Sequence, residues 1–261
     1  MIQLIASGDD PRLTDYARVA DPTWLRGQRL LVAEGRLVVR RLLESGRFPV
    51  RSVLLTPAAL HAFAAPIGTD APVYVAEQPI LDRITGVKFH RGCLALAERP
   101  GASGTAERFE RADLLLAIEG VGNPDNIGGL FRVAAAFGAD GVLLDPASAD
   151  PFYRKAVRTS MGAVFALTFA RLSPWPAALE AFKAADFEIV ALTPAADART
   201  LDEFAGRDHG RLVVVVGGEG PGLSDAVLRG SDARVRIPVT GKVDSLNVTV
   251  AAAIALSRLA G

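Results

Sequence analysis

The sequence is poor in the residues that most often advertise a chemistry. Its single cysteine, Cys93, excludes a disulfide framework and any multi-cysteine zinc site. Its place in the apolar run GCLALA predicts a side chain that fills core, and no metal site is expected. Net charge is also lacking, with 29 basic against 29 acidic side chains over 261 residues, which on its face speaks against a nucleic-acid partner. Long hydrophobic runs are missing too. The longest stretch without Asp, Glu, Lys or Arg, 52–69, is broken by Pro57, His61, Pro66 and Gly68, so no membrane span is expected. The opening MIQLIASGDD has no basic segment and meets Asp9 and Asp10 early, unlike a secretory signal, and a cytoplasmic location is expected.

What is present is an apolar half and a rhythm. Apolar residues make up 50% of the chain, enough for one large domain or two ordinary ones. From about residue 29, short apolar runs alternate with helical patterns: RLLVAE, GRLVVRRLLESG, VRSVLLT, PAALHAF, PVYVA, EQPILDRIT, GCLALAE. That order predicts an α/β layer structure. The rhythm lapses at RPGASGTAER and restarts with LLLAIEG, so two α/β domains are expected, 1–103 and 111–261, joined by a linker at 104–110.

The charge balance is an average over unlike halves. Residues 1–100 carry 13 basic and 10 acidic side chains, net +3; residues 101–261 carry 16 and 19, net −3. Between 24 and 51, seven arginines (Arg26, Arg29, Arg36, Arg40, Arg41, Arg47, Arg51) face only Glu34 and Glu44. Such a concentration on one helix and its flanks favours an anionic partner.

Three segments of the second domain lie where an apolar strand ends, the edge at which open α/β sheets place ligands. In EGVGNPDNIGGLFR, Pro124 and Asp125 make a turn, Asp125 or Asn126 caps a helix, and Ile127, Leu130, Phe131 and Ala134 form its buried stripe. Arg132 falls off that stripe and is free to meet a ligand. In LVVVVGGEGPGLS, the glycines at 218, 220 and 222 do not have dinucleotide-fold spacing. Pro221 also lacks a donor, and Glu219 would repel a phosphate. The loop therefore suits a neutral or cationic ligand. In RIPVTGKVDSLNVTVAAAIAL, Ser245 is the expected helix cap, and Asn247 is a poor choice for a buried first turn unless something bonds its amide. The helix that follows is apolar nearly all round and predicts burial on most sides, within the chain or against another subunit.

Together these segments resemble the SpoU (TrmH-like) family of RNA ribose 2′-O-methyltransferases, in the SPOUT superfamily. Asn126, Gly128 and Arg132 match its first motif, Asn-x-Gly ahead of a helical Arg. Gly217, Gly218, Glu219, Gly222 and Leu223 match its second. Ile237, Pro238, Gly241, Ser245, Leu246, Asn247 and Val248 match its third. The resemblance covers about 110–261, and VAEGRLVVRRLLESG is similar to the small ribosomal-protein-like recognition domain that many members carry.

The resemblance implies a knotted C-terminal α/β domain, a deep trefoil that departs from the rule against threaded chains, behind an α/β substrate-binding domain. It implies S-adenosylmethionine as cofactor, held largely by backbone around Gly217, Gly218, Gly222, Ile237 and Leu246. It implies a homodimer through the knotted domain and RNA as substrate, ribosomal or transfer RNA, with the separate recognition domain leaning toward ribosomal; the arginine concentration places the RNA contact at Arg26, Arg29, Arg36, Arg40 and Arg41. Arg132 is the implied catalytic centre, with Asn126, Glu219, Ser245 and Asn247 orienting ribose, arginine or loops. Because a guanidinium keeps its proton at neutral pH, stabilisation of alkoxide character suits it better than removal of the proton. A non-catalytic RNA-binding protein that keeps the knotted fold is the alternative.

Overall fold

The apolar runs become two sheets. In the computed structural model residues 1–63, 68–85, 92–100 and 106–260 are described. The chain forms two units: Met1–Gly101 with Phe152–Ala166, and Ala102–Pro151 with Leu167–Gly261.

The first unit runs β1 (Ile2–Leu4), α1 (Pro22–Gly27), β2 (Leu30–Glu34), α2 (Arg36–Ser45), β3 (Val50–Leu55), α3 (Pro57–Ala62), β4 (Val73–Val75), α4 (Gln78–Thr85) and β5 (Cys93–Glu98). Its sheet has the order β1-β4-β3-β5-β2, with β5 antiparallel to both neighbours. Helix α2 follows its period: Val38, Val39 and Leu42 are buried, while Arg36, Leu37, Arg40 and Arg41 are exposed. Cys93 is buried in β5, and burial pushes its thiol up to about 12. The segment ahead of residue 29, which shows no alternation, contributes β1, α1 and a 3-10 helix, Pro11–Arg18, that buries Leu13 and Tyr16. The Tyr16 hydroxyl and Ser52 Oγ share a buried hydrogen bond of 2.8 Å.

The second unit is built on seven parallel strands in the order β10-β12-β9-β11-β6-β7-β8. In chain order its elements are β6 (Leu114–Glu119), α5 (Pro124–Ala136), β7 (Gly141–Leu144), β8 (Thr168–Arg171), α7 (Glu180–Lys183), β9 (Phe187–Leu192), β10 (Arg199–Thr200), α8 (Leu201–Ala205), β11 (Arg211–Gly217), α9 (Asp225–Gly230), β12 (Ala233–Arg236) and α10 (Val248–Leu259). The central runs LLLAIE and LVVVV are buried on both faces, as strands between two helix layers are.

Between β7 and β8, helix α6 (Arg154–Thr159) and the turn Ala163–Phe165 lie in a segment, Phe152–Ala166, that belongs with the first unit, although the sequence rhythm places it inside 111–261. Its attachment has a physical reason. Phe48 packs edge-on against both Phe152 and Phe165, with ring centroids 5.6 and 5.3 Å apart, and buried Glu34 accepts a 2.8 Å hydrogen bond from Arg154 Nε. The linker expected at 104–110 lies partly outside the described residues. Its described part holds a single 3-10 turn, Ala106–Phe109, whose Phe109 is already core. The helix expected over about 175–185 is shorter, a 3-10 turn running into α7.

Candidate functional site

Parallel pairing sets Gly217, at the end of β11, opposite Glu119, at the end of β6. The loops that leave these strands therefore start side by side at the carboxyl edge of the sheet.

Helix α5 begins two or three positions earlier than its sequence suggests. Asn123, not Asp125 or Asn126, is the cap: its Oδ1 accepts from Asp125 N at 3.0 Å, and Pro124 occupies the first helical position, where a missing N–H costs nothing. Ile127, Leu130, Phe131 and Ala134 are buried as their spacing predicts. Asn126 is released from capping and is buried as well, so its amide must find partners.

It finds them on the other two segments. Asn126 Nδ2 donates to Glu219 Oε1 at 2.8 Å, and Asn126 Oδ1 accepts from Asn247 Nδ2 at 3.2 Å. The same Asn247 Nδ2 reaches Glu219 Oε1 at 3.1 Å. Asn247 Oδ1 accepts from Thr249 N at 2.9 Å, which makes Asn247 the cap of α10 in place of Ser245. One side chain thus satisfies a helix terminus with its oxygen and the cluster with its nitrogen, because the two ends of an amide are opposite in polarity. Glu219 is held by two neutral amides and forms no ion pair among the described residues.

The glycine loop folds back on itself. A Cβ on Gly217 would lie 2.4 Å from the carbonyl carbon of Gly222, and one on Gly218 would lie 2.3 Å from the carbonyl oxygen of Gly120. No side chain fits at either position. Gly220 and Gly222, at φ +92° and +68°, have open space where a side chain would stand. The loop is closed toward the sheet and open outward, with backbone as its lining. That donor set fits a ligand recognised through backbone N–H and C=O groups, as the amino and ring nitrogens of an adenosine are, while half-buried Ile237 and Leu246 supply apolar surface.

Arg132 is exposed and makes no hydrogen bond or ion pair among the described residues, so its guanidinium is available. Ser245 is likewise exposed and forms no hydrogen bond among the described residues. The structure brings Asn126, Glu219 and Asn247 into direct contact and leaves Arg132 and Ser245 outside that cluster. Three further side chains belong to the site's frame. Glu119, buried at 8% exposure, accepts from Trp175 Nε1, from Ser224 Oγ and from Ser224 N, each at 2.7 Å. Its sequence signal is a carboxylate closing an otherwise apolar strand, LLLAIE; Trp175 and Ser224 carry no comparable signal. In α10, Val248, Ala252, Ala255 and Leu256 are buried while Val250 is 47% exposed, so within one chain the helix is covered on one side.

In the first unit the arginines divide by environment. Arg41 Nη1 donates to Met161 O at 2.7 Å, and Arg51 pairs with Glu98 and Asp15 at 3.4 and 3.9 Å. Arg47 donates to Ala166 O at 3.1 Å. Only Arg36, Arg40 and Arg41 of the seven lie on α2 itself; Arg26 lies in the last turn of α1 and Arg29 in the turn before β2. Arg36 and Arg40, one helical turn apart, form no ion pair among the described residues and line a cleft of about 500 Å³ with Leu37, Ala62 and Met161. Arg40 also lies over the Phe63 ring, 5.8 Å from its centre. The first turn of α2 has neither an acidic residue nor a capping side chain, which leaves the cleft cationic.

The sequence model of the SpoU rRNA Methylase family matches residues 113–257, more than half of the chain. An uncharacterized tRNA/rRNA methyltransferase of Mycobacterium bovis is 39% identical over 260 residues, covering 97% of this chain and 90% of its own. Among solved structures, an AdoMet-bound rRNA methyltransferase from Sinorhizobium meliloti superposes with a TM-score of 0.80 at 25% identity, over 99% of this chain and 97% of that one. An RNA 2′-O ribose methyltransferase does so with a TM-score of 0.77 at 27% identity, over 99% and 98%. The mixed α/β fold is that of these methyltransferases, and this chain belongs to the SpoU rRNA methylase family.

Proposed function

We propose that this chain is an S-adenosylmethionine-dependent methyltransferase acting on a ribose 2′-hydroxyl of RNA, ribosomal rather than transfer RNA, and working in the cytoplasm. The observation that carries the reading is the Asn126, Glu219 and Asn247 cluster, which ties the starts of two helices to the glycine loop, one of them the helix that bears Arg132. The relatives and structural neighbours support it by what they bind and modify.

In this reading Gly217, Gly218, Gly222, Ile237 and Leu246 hold the cofactor, and the chain forms a deep trefoil knot near its C-terminus. When bound, S-adenosylmethionine supplies an electrophilic methyl group on a sulfonium. Arg132 binds the phosphate next to the target ribose and stabilises negative charge developing on the 2′-oxygen. Asn126, Glu219 and Asn247 fix the entry to the helix that bears Arg132, and Ser245 contacts the ligand from the α10 side. The knotted domain pairs with a second copy, covering the exposed side of α10. The first unit recognises RNA, with Arg36 and Arg40 at the centre, Arg26 and Arg29 beside them, and Arg41 at the margin.

Transfer of a labelled methyl group to total RNA, followed by mass mapping of ribose methylation in cells with and without the protein, tests the reading. Arg132→Ala is expected to lower transfer by about a hundredfold or more with cofactor binding intact. Label found on bases instead of ribose, or an unchanged rate, would overturn it.

A further inference from the structure

Glu119 takes no part in the reaction proposed above, yet it is a carboxylate buried without a cation. Among the described residues no ion pair reaches it, and three neutral donors hold it: Trp175 Nε1, Ser224 Oγ and Ser224 N. Burying an ionised carboxylate costs several kcal/mol unless hydrogen bonds replace its water. A group of that cost at a strand end calls for a reason beyond packing.

The reason lies in what the donors belong to. Ser224 is the residue at which the glycine loop ends and α9 begins; its Oγ also accepts from Val227 N at 3.3 Å, capping that helix. The loop's other end abuts the same place, since Gly217 touches Gly222 and Leu223, and Gly218 rests on the carbonyl of Gly120, next in sequence to Glu119. Glu119 and Gly120 therefore fix the loop at both ends. Trp175, in the segment after β8, donates to Oε1, the same oxygen that accepts from Ser224 Oγ. A displacement of the loop's end thus alters the acceptor of the indole.

We infer that Glu119 is a positioning residue for the glycine loop, and that Trp175 reports the state of that loop through the oxygen it shares with Ser224. A carboxylate serves where glutamine would not, because it is an acceptor at both oxygens, whereas an amide would turn an NH₂ group toward one of the donors. The inference rests on the reading that this loop holds S-adenosylmethionine.

The chain has two tryptophans, Trp24 and Trp175, so Trp24→Phe isolates the emission of Trp175. In that background, titration with S-adenosylhomocysteine is expected to change Trp175 emission in a saturable way, with the same dissociation constant that calorimetry gives. Glu119→Gln is expected to shift the ligand-free emission, raise the dissociation constant by about tenfold, and raise KM for the cofactor while leaving KM for RNA in place. Ser224→Ala keeps the backbone donor, and Trp175→Phe keeps the ring but loses the N–H. Each should weaken binding by about twofold to fivefold, and they decide the matter should Glu119→Gln fail to fold. Binding that is tight in the parent and unchanged in the variants, with unshifted emission, would overturn the positioning role. A parent that binds no S-adenosylhomocysteine would instead overturn the cofactor reading, and an emission change in Glu119→Gln would then still establish the Glu119–Trp175 link.

Discussion

Asn247 donates its amide to Asn126 Oδ1 at 3.2 Å although 121 positions separate the two in sequence. The contact joins the first turn of α10 to the first turn of α5, and a single substitution can separate its two uses. Asn247→Ala loses both the helix cap and the amide donor. It is expected to cost about 1 kcal/mol of stability, a fall in Tm of about 2–4 °C, and about tenfold or more in methyl transfer. Asn247→Ser restores a capping oxygen but no amide donor. Thermal melts should recover in the serine variant while transfer does not; recovery of both would mean that capping is all Asn247 does.

The same two helices meet at Gly129, where a Cβ would lie 2.8 Å from both Oγ1 and Cγ2 of Thr249. On an isolated helix Gly→Ala adds about 1 kcal/mol. Here Gly129→Ala should instead destabilise by about 1–3 kcal/mol through overpacking. Adding Thr249→Ala should restore most of the loss in urea titrations, because it removes the atoms that collide.

Charge reversal should sort the arginines of α2. Arg36→Glu with Arg40→Glu is expected to weaken RNA binding and flatten its dependence on salt, with log–log slope reduced by about one to two, without altering cofactor affinity. Arg41→Glu should show mainly as lost stability, since Arg41 is committed to the carbonyl of Met161. Filter binding over a salt series, beside thermal melts, distinguishes the two.

The first unit should be labile to alkali. Burial pushes the Cys93 thiol from its ordinary 9.0 up to about 12, and burial raises the Tyr16 hydroxyl as well, against the opposing effect of its bond to Ser52. Both acids are neutral in the folded chain, and unfolding lets them ionise at lower pH. Their contribution to stability is therefore whole below about pH 9 and falls as pH rises toward 12. Urea midpoints taken from pH 8 to 11 should decline, and a thiol reagent at pH 8 should leave Cys93 untouched until the protein is unfolded.

Periodicity carried the frame of the site well. The stripe Ile127, Leu130, Phe131 and Ala134, the buried run LVVVV and the core place of Cys93 all follow from local hydrophobic spacing, which tertiary packing rewards directly. The caps were less legible, because Asn123 and Asn126, or Ser245 and Asn247, are equally good cap formers. What decides between them is a partner across the fold, Glu219, that no local window contains. Glu119 was hidden for the same reason: its three donors come from residues 56 and 105 positions away. In α10 the composition could not say which face the chain itself covers, because its alanines line covered and uncovered helix faces alike.

The segment Phe152–Ala166 leaves the order of the second unit to complete the first. During synthesis the first unit cannot close over Glu34 and Phe48 until Arg154 and Phe165 have emerged, by which time β6 and β7 of the second unit are already outside the ribosome. The two units are thus consecutive on paper but interleaved in time, and a cut made between them at about residue 105 would give a front fragment without its last packing segment and a rear fragment carrying that segment with nothing to pack on.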